Sequence, residues 1–221
     1  MASGCANIDP NKNAQAAIIR EAPRLIGPAD SYAAHVHSDI FSLGRGYVRS
    51  VTIDGDNVRM SPEITLSSLE VTLNDIHFDR SSHAIKHIGT IAFAGNFGQQ
   101  SLDHYLQYKY PHIKETLSLD GQRVYISLPL TMWKFGTTAH VSGIVRVSPQ
   151  NPSAIEFVGE SAHVGIMPIP VRLVNEALKH INPIAVFNSK LVALNLTDAE
   201  VTHSQIHVFG TATLTGQLQS P

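Results

Sequence analysis

The side chains best suited to chemistry in this sequence are its twelve histidines. His35 and His37 are two residues apart in a stretch with strand-like alternation, so both imidazoles would point to one face, as two zinc ligands do. No His-Glu-x-x-His motif is present, and the sequence nominates no third ligand. We expect the other histidines, which are scattered, on the polar faces of strands and helices. A metalloenzyme in which His35 and His37 help to activate water is kept as a minor alternative.

Other catalytic patterns are missing from the sequence. There is no Gly-x-Ser-x-Gly motif to present a serine nucleophile, and the eighteen acidic residues form no obvious catalytic pair. Gly44-Arg45-Gly46 is too short for a phosphate-binding loop and is typical of a turn. We therefore predict that the protein is not an enzyme, with no catalytic residue, no metal site and no cofactor.

The single cysteine, Cys5, lies in a pattern that resembles the end of a bacterial lipoprotein signal. Small residues precede it, and the polar residues after it suit a tether, although the charged and apolar regions of such a signal are not in the sequence. We predict a lipidated Cys5, the alternative being a free thiol on a tail. Several acyl chains on one cysteine anchor a protein stably to a membrane. This predicts an exported protein of the cell envelope or periplasm, with the membrane surface as a partner.

The charge balance argues against nucleic acid as a partner. Sixteen Lys and Arg residues against eighteen Asp and Glu residues give a net charge of −2, so no basic surplus is available to neutralise phosphates. Charged residues make up 15% of the chain and hydrophobic residues 43%, whereas an average soluble domain has about 25% charged residues. No apolar run approaches the roughly 20 residues that span a bilayer. These values predict a globular domain with a large apolar core.

Apolar periodicity predicts a chain made mostly of β-strands, with three amphipathic helices over about 10–26, 98–110 and 170–182. Asp120-Gly121, between two alternating runs, predicts a tight hairpin. A one-residue phase change after Leu73 predicts a β-bulge. Together these elements predict an α+β fold in which the helices lie against a large antiparallel sheet.

Several stretches of the chain, spread over about residues 15–215, resemble one family in their order and residues. They are 22–32 (APRLIGPADSY), 46–48 (GYV), 51–58 (VTIDGDNV), 69–79 (LEVTLNDIHFD), 101–106 (SLDHYL), 181–183 (INP) and 206–212 (IHVFGTA). On these stretches the chain is similar to the LmeA-like phospholipid-binding family of bacterial envelope proteins, within the tubular lipid-binding (BPI-like, TULIP) superfamily.

The resemblance implies a strongly bent, mostly antiparallel β-sheet wrapped around a long helix, with further amphipathic helices and an apolar groove that takes lipid acyl chains. It also implies an exported protein without catalytic residues, and its motifs are structural, so no ligand contact transfers from it. We assign residues 14–216 to a single lipid-binding domain. Residues 1–13 would form a flexible N-terminal tail that serves as a lipoprotein tether, and residues 217–221 a C-terminal tail.

The sequence and the resemblance together predict non-catalytic binding or transport of a phospholipid, or of a similar amphiphile with a fatty-acyl chain, in the bacterial cell envelope. We expect the groove to be lined partly by the inner faces of the second and third helices, at Leu102, Tyr105, Leu106, Val171, Val174 and Leu178. The same side chains would simply form the core if no groove existed. The main alternative is therefore an envelope scaffold or protein-interaction module with a filled core.

Overall fold

A computed structural model describes residues 10–79, 81, 85–109, 116–132, 135–180, 182–187 and 192–214 of the chain. Cys5 lies outside the described residues. The described part contains four helices: α1 (Pro10–Leu25), α2 (Ile40–Gly44), α3 (Gln99–Lys109) and α4 (Val171–Leu178). None of these helices has the length and apolar character needed to cross a membrane.

Antiparallel strands make up most of the described chain and form two sheets. The strands are β1 (Ser31–His37), β2 (Tyr47–Arg59), β3 (Thr65–Phe78), β4 (Ile85–Gly98), β5 (Thr116–Asp120), β6 (Arg123–Met132), β7 (Phe135–Val147), β8 (Ala154–Val164), β9 (Met167–Pro168), β10 (Ala185–Val186), β11 (Val192–Thr202) and β12 (Gln205–Leu214). Sheet A has the order β1-β2-β3-β4-β12-β11. Sheet B has the order β10-β8-β7-β6-β5, and β9 also pairs with β8.

The predicted fold, a bent sheet wrapped around a long helix, is wrong. The longest helix among the described residues, α1, has 16 residues and packs against β1 at one side of sheet A. Its apolar stripe is formed by Ala14, Ile18 and Ala22, of which only Ala22 is fully buried. This stripe is too small to fill the concave face of a large sheet. Much of that face, the inner face of sheet A, packs instead against sheet B, so the largest core lies between two sheets.

The turns of sheet B are hydrogen-bonded to β11, the edge strand of sheet A, and to the turn that follows it. The backbone N–H of His203 donates to the carbonyl of Gly121 at 2.8 Å, and the N–H of Leu196 donates to the carbonyl of Pro152 at 2.7 Å. These bonds join the β5–β6 and β7–β8 turns to sheet A. They also give partners to backbone groups that an edge strand would otherwise expose.

The outer edge of β8 is covered along its length. Its two ends pair with β10 and β9. Between them, the side-chain amide of Asn182 accepts from the N–H of Phe157 at 2.9 Å and donates to its carbonyl at 2.8 Å. The amide of Asn175 does the same for Gly159, at 2.9 and 3.1 Å. Two asparagines therefore replace a neighbouring strand at this edge, and Asn175 fixes α4 against sheet B.

In β2, β3 and β4 the alternation of buried and exposed side chains shifts by one residue, at the level of Asp75 of β3. The β-bulge predicted after Leu73 is not found there, because the register of β3 with both neighbours is the same on either side of Asp75. Asp75 has a φ of 54°, and a Cβ on Gly89 of β4 would lie only 2.9 Å from its Cβ. Glycine at this position therefore makes room for Asp75, and the phase change is shared by three strands rather than caused by an extra residue in one.

Candidate functional site

Two separate cores lie on the inner face of sheet A. The main core lies between the two sheets, and Phe97, Phe157 and Ile206 are among its fully buried side chains. The second, which we call the helix-side core, lies under α1 and consists of Ala22, Val36, Val48, Val51, Ile53 and Ile76. Because both cores use the same face, the strand residues between them are only partly covered.

A row of apolar residues crosses four strands in this intermediate zone. Leu73 of β3 pairs with Ile91 of β4, Ile91 pairs with Ala212 of β12, and Ala212 pairs with Leu194 of β11. Ile91 is 9% exposed, and the other three are exposed to an intermediate degree. Strands lie about 4.8 Å apart, so the row is about 14 Å long. We call these four residues the inner strip, together with two neighbours on the same face, Val71 and Phe93.

The position of Phe93 on the inner strip depends on a glycine. Gly210 of β12 pairs with Phe93, and a Cβ on Gly210 would lie 2.7 Å from the Cζ atom of the Phe93 ring. The ring can therefore lie against the backbone of β12 only because that residue has no side chain. This close approach places an aromatic face beside the apolar row.

Tyr32 of β1 lies on the inner face of sheet A and packs against both cores. Its hydroxyl donates to the carbonyl of Gly27 at 2.7 Å, which ties β1 to the end of α1. Burial raises the pKa of Tyr32 to about 12. The hydroxyl therefore stays protonated, and can donate this hydrogen bond, to a higher pH than an ordinary tyrosine.

The inner strip has the chemistry of a binding surface for a hydrocarbon. Its six side chains contain no titratable group, nucleophile or metal ligand. Apolar surface that stays in contact with water is unfavourable, and covering it contributes about 0.8 kcal/mol for each methylene buried. The strip therefore offers an apolar surface whose covering by another apolar group would be favourable.

The six residues predicted to line a groove lie in or beside the main core. Four of them are between 0 and 6% exposed: Leu102, Tyr105, Val174 and Leu178. Leu106 packs against the same core, and Val171 is partly exposed. The buried residues pack α3 and α4 onto the main core. That these residues line a ligand groove stays a prediction.

His35 and His37 lie on the outer face of sheet A, and both are exposed. They share one face, as their spacing predicts, and the Nε2 atom of His35 is 3.7 Å from a carboxylate oxygen of Asp54. In the part of the chain that the structure describes, no three His, Cys, Asp or Glu side chains lie close enough to one another to hold a metal ion. The described part of the fold thus gives no support to the metalloenzyme alternative.

The sequence alone did not identify the inner strip. Its residues alternate along their strands in the same way as core residues do, and alternation does not show which part of a face α1 and sheet B leave open. The one local signal is Gly210, which interrupts the apolar alternation of 206–214. A glycine inside a strand often marks the close approach of another group.

The resemblance to the LmeA-like family stays a prediction based on the stretches quoted above, and the fold that it implied is not the one observed. Comparison with protein families, with curated proteins and with solved structures finds no match for this chain.

Proposed function

We propose that this domain binds a phospholipid or a similar amphiphile without converting it, and that an acyl chain of the ligand lies along the inner strip. The main observation behind the proposal is the partly exposed apolar row between the two cores. An acyl chain with ten buried methylenes would contribute roughly 8 kcal/mol before entropic costs. This contribution is of the same order as the cost of association, about 4–15 kcal/mol.

An exposed apolar tip supports contact with a membrane surface. Ile166 is 100% exposed, Met167 is 66% exposed and Leu173 is 64% exposed. Ile166 lies in the turn between β8 and β9, Met167 is the first residue of β9, and Leu173 lies in the first turn of α4. We call the two adjacent residues Ile166 and Met167 the apolar tip, since adjoining exposed apolar side chains are a feature of interaction surfaces. Insertion of the tip into a bilayer would bring the domain to its ligand.

The setting of the proposal is the bacterial cell envelope. It is supported by the resemblance of the chain to an envelope family and by the pattern around Cys5, whose lipidation would hold the domain at a membrane. The low content of charged residues, 15%, agrees with a protein whose ligand is apolar. Export, lipidation and the absence of catalysis all belong to the proposal.

Two substitutions on one strand test the proposal. Ala212→Trp places a large side chain on the inner strip, where it would occupy the space of the acyl chain. Thr211→Trp places the same side chain on the exposed outer face of β12 and is the matched control. Transfer of a self-quenched fluorescent phospholipid from vesicles to the protein is measured for both variants and for the wild type, and thermal unfolding shows that each variant is folded.

We expect the wild type and Thr211→Trp to take up lipid, and Ala212→Trp to lose at least tenfold in affinity while remaining folded. Equal uptake by both tryptophan variants would show that the inner strip is not the site. Failure of the wild type to take up any lipid would contradict the function itself.

The second candidate function is a protein-interaction module of the envelope. It is favoured by the burial of Leu102, Tyr105, Val174 and Leu178, which is what a filled core between the sheets requires. In that case the apolar tip would contact a protein partner. Replacing Ile166 and Met167 by serine would then leave binding to vesicles unchanged, whereas the lipid function predicts weaker binding to them.

A further inference from the structure

Two histidines face each other on the outer face of sheet B. His140 of β7 and His163 of β8 are directly opposite in the antiparallel register. Both side chains are exposed. The centroids of their rings are 5.4 Å apart, and the ring planes are inclined by 30°.

A serine on the next strand orients one of the two rings. Ser127 of β6 is paired with His140, and its hydroxyl oxygen is 3.1 Å from the Nδ1 atom of that ring. This hydrogen bond engages Nδ1 and leaves Nε2 of His140 for another ligand. Among the described residues, neither ring nitrogen of His163 has a hydrogen-bond partner. Within the described part of the chain, one nitrogen on each ring is therefore available.

The spacing of the rings matches that of two imidazoles bound to one metal ion. Nitrogen–metal distances of about 2.0–2.1 Å, with an angle of about 90–110° at the metal, place the two ring centroids about 4.5–5.2 Å apart. The observed 5.4 Å is close to this range, and a small rotation of either side chain would close the gap. A second cross-strand pair among the described residues, His77 and His87, has centroids 6.1 Å apart, and the His77 ring also lies 5.0 Å from the ring of Tyr47. The second pair is thus less suited to chelation.

We propose that His140 and His163 form a chelating site for one divalent transition-metal ion on the surface of sheet B. Imidazole ligands suit copper, nickel and zinc, and the order of affinities places Cu²⁺ first. The protein supplies two ligands, and water would fill the remaining positions. The site lies on a different sheet from the inner strip, so it does not depend on the lipid function.

The site is tested by titrating the tag-free chain with Cu²⁺. Binding is measured by calorimetry, and the number of nitrogen ligands by electron paramagnetic resonance. The wild type is expected to bind one tight equivalent with two nitrogen ligands. His140→Gln and His163→Gln should each lower the affinity of that equivalent by about 100-fold, because each variant loses the gain from joining two ligands on one scaffold. Both residues are exposed, so circular dichroism should show unchanged folding.

Two control variants make the result specific. His104→Gln changes an exposed histidine of α3, and His77→Gln disrupts the more widely spaced pair; both should keep the tight equivalent. The proposal is overturned if either His140→Gln or His163→Gln binds Cu²⁺ as tightly as the wild type. It is also overturned if a control variant loses the same equivalent.

Discussion

Asn175 provides a sharp test of how the edge of β8 is stabilised. Its side-chain oxygen accepts from the N–H of Gly159 at 2.9 Å, and its side-chain nitrogen donates to the carbonyl of the same residue at 3.1 Å. Gly159 is buried. Substitution by alanine removes both bonds and leaves two backbone groups without a partner, although it keeps α4 helical.

The expected loss follows from these two groups. Leaving a buried polar group unsatisfied costs about 1–3 kcal/mol, and the lower half of that range applies because the two hydrogen bonds are only partly buried. Alanine is a better helix former than asparagine by up to about 0.7 kcal/mol. For the two groups together, less the gain in helix propensity, we therefore expect Asn175→Ala to lower the free energy of unfolding by about 1.3–4 kcal/mol. For a chain of this size that corresponds to a fall in Tm of about 3–16 °C.

Urea unfolding followed by far-UV circular dichroism measures this loss. Asn195→Ala, on the exposed outer face of β11, is the control and should change stability by no more than about 0.5 kcal/mol. Asn175→Asp adds a second test, because only a protonated carboxyl can both donate to and accept from Gly159. Its deficit should therefore shrink as the pH falls. A loss below about 0.5 kcal/mol for Asn175→Ala, or a deficit of Asn175→Asp that does not change with pH, would refute the reasoning.

Three further results are expected. Leu106→Gln should lower the free energy of unfolding by about 1–3 kcal/mol, because it places an amide against the main core; loss of lipid uptake with unchanged stability would instead support a groove at this residue. The pKa of Tyr32 is about 12 in the folded protein and about 10 in the unfolded chain. The contribution of this group to the free energy of unfolding is therefore complete below about pH 10 and is lost as the pH rises towards 12. Tyr32→Phe should flatten the alkaline fall in stability over this window. A Cβ on Gly143 would clash with the carbonyl of Val158, whereas one on Gly98 meets nothing within 4 Å. Gly143→Ala should therefore cost about 3 kcal/mol or more in chemical unfolding, and an effect no larger than that of Gly98→Ala would contradict the clash.

Local elements could be predicted well from the sequence. The helices expected over 10–26 and 98–110 are found at Pro10–Leu25 and Gln99–Lys109, because proline and glycine residues in the sequence mark where they begin and end. The third helix ends at Leu178, before its expected end near 182, and the side chain of Asn182 pairs with the backbone of Phe157. The five-residue α2 was not predicted, since its length gives no periodicity to detect.

The arrangement of these elements could not be predicted. Strand alternation marks Phe93 and Phe157 equally as inward-facing, yet one lies on the partly exposed inner strip and the other is 1% exposed in the main core. The difference depends on where sheet B lies over sheet A, which is set by contacts far apart in the sequence, such as that of Leu196 with Pro152. The family resemblance implied that a long helix packs against the bent sheet, whereas in the observed fold a second sheet packs there. For the same reason, the sequence suggested helix residues for the groove and not the inner strip.

The central claim, that the domain holds an amphiphile, is tested most directly by mass spectrometry. The purified, tag-free protein is analysed intact under native conditions after incubation with phospholipid vesicles, and an organic extract of the same sample identifies any bound molecule. The account predicts one phospholipid or fatty-acyl ligand per chain. An intact mass equal to that of the chain alone, unchanged by the vesicles, would contradict it.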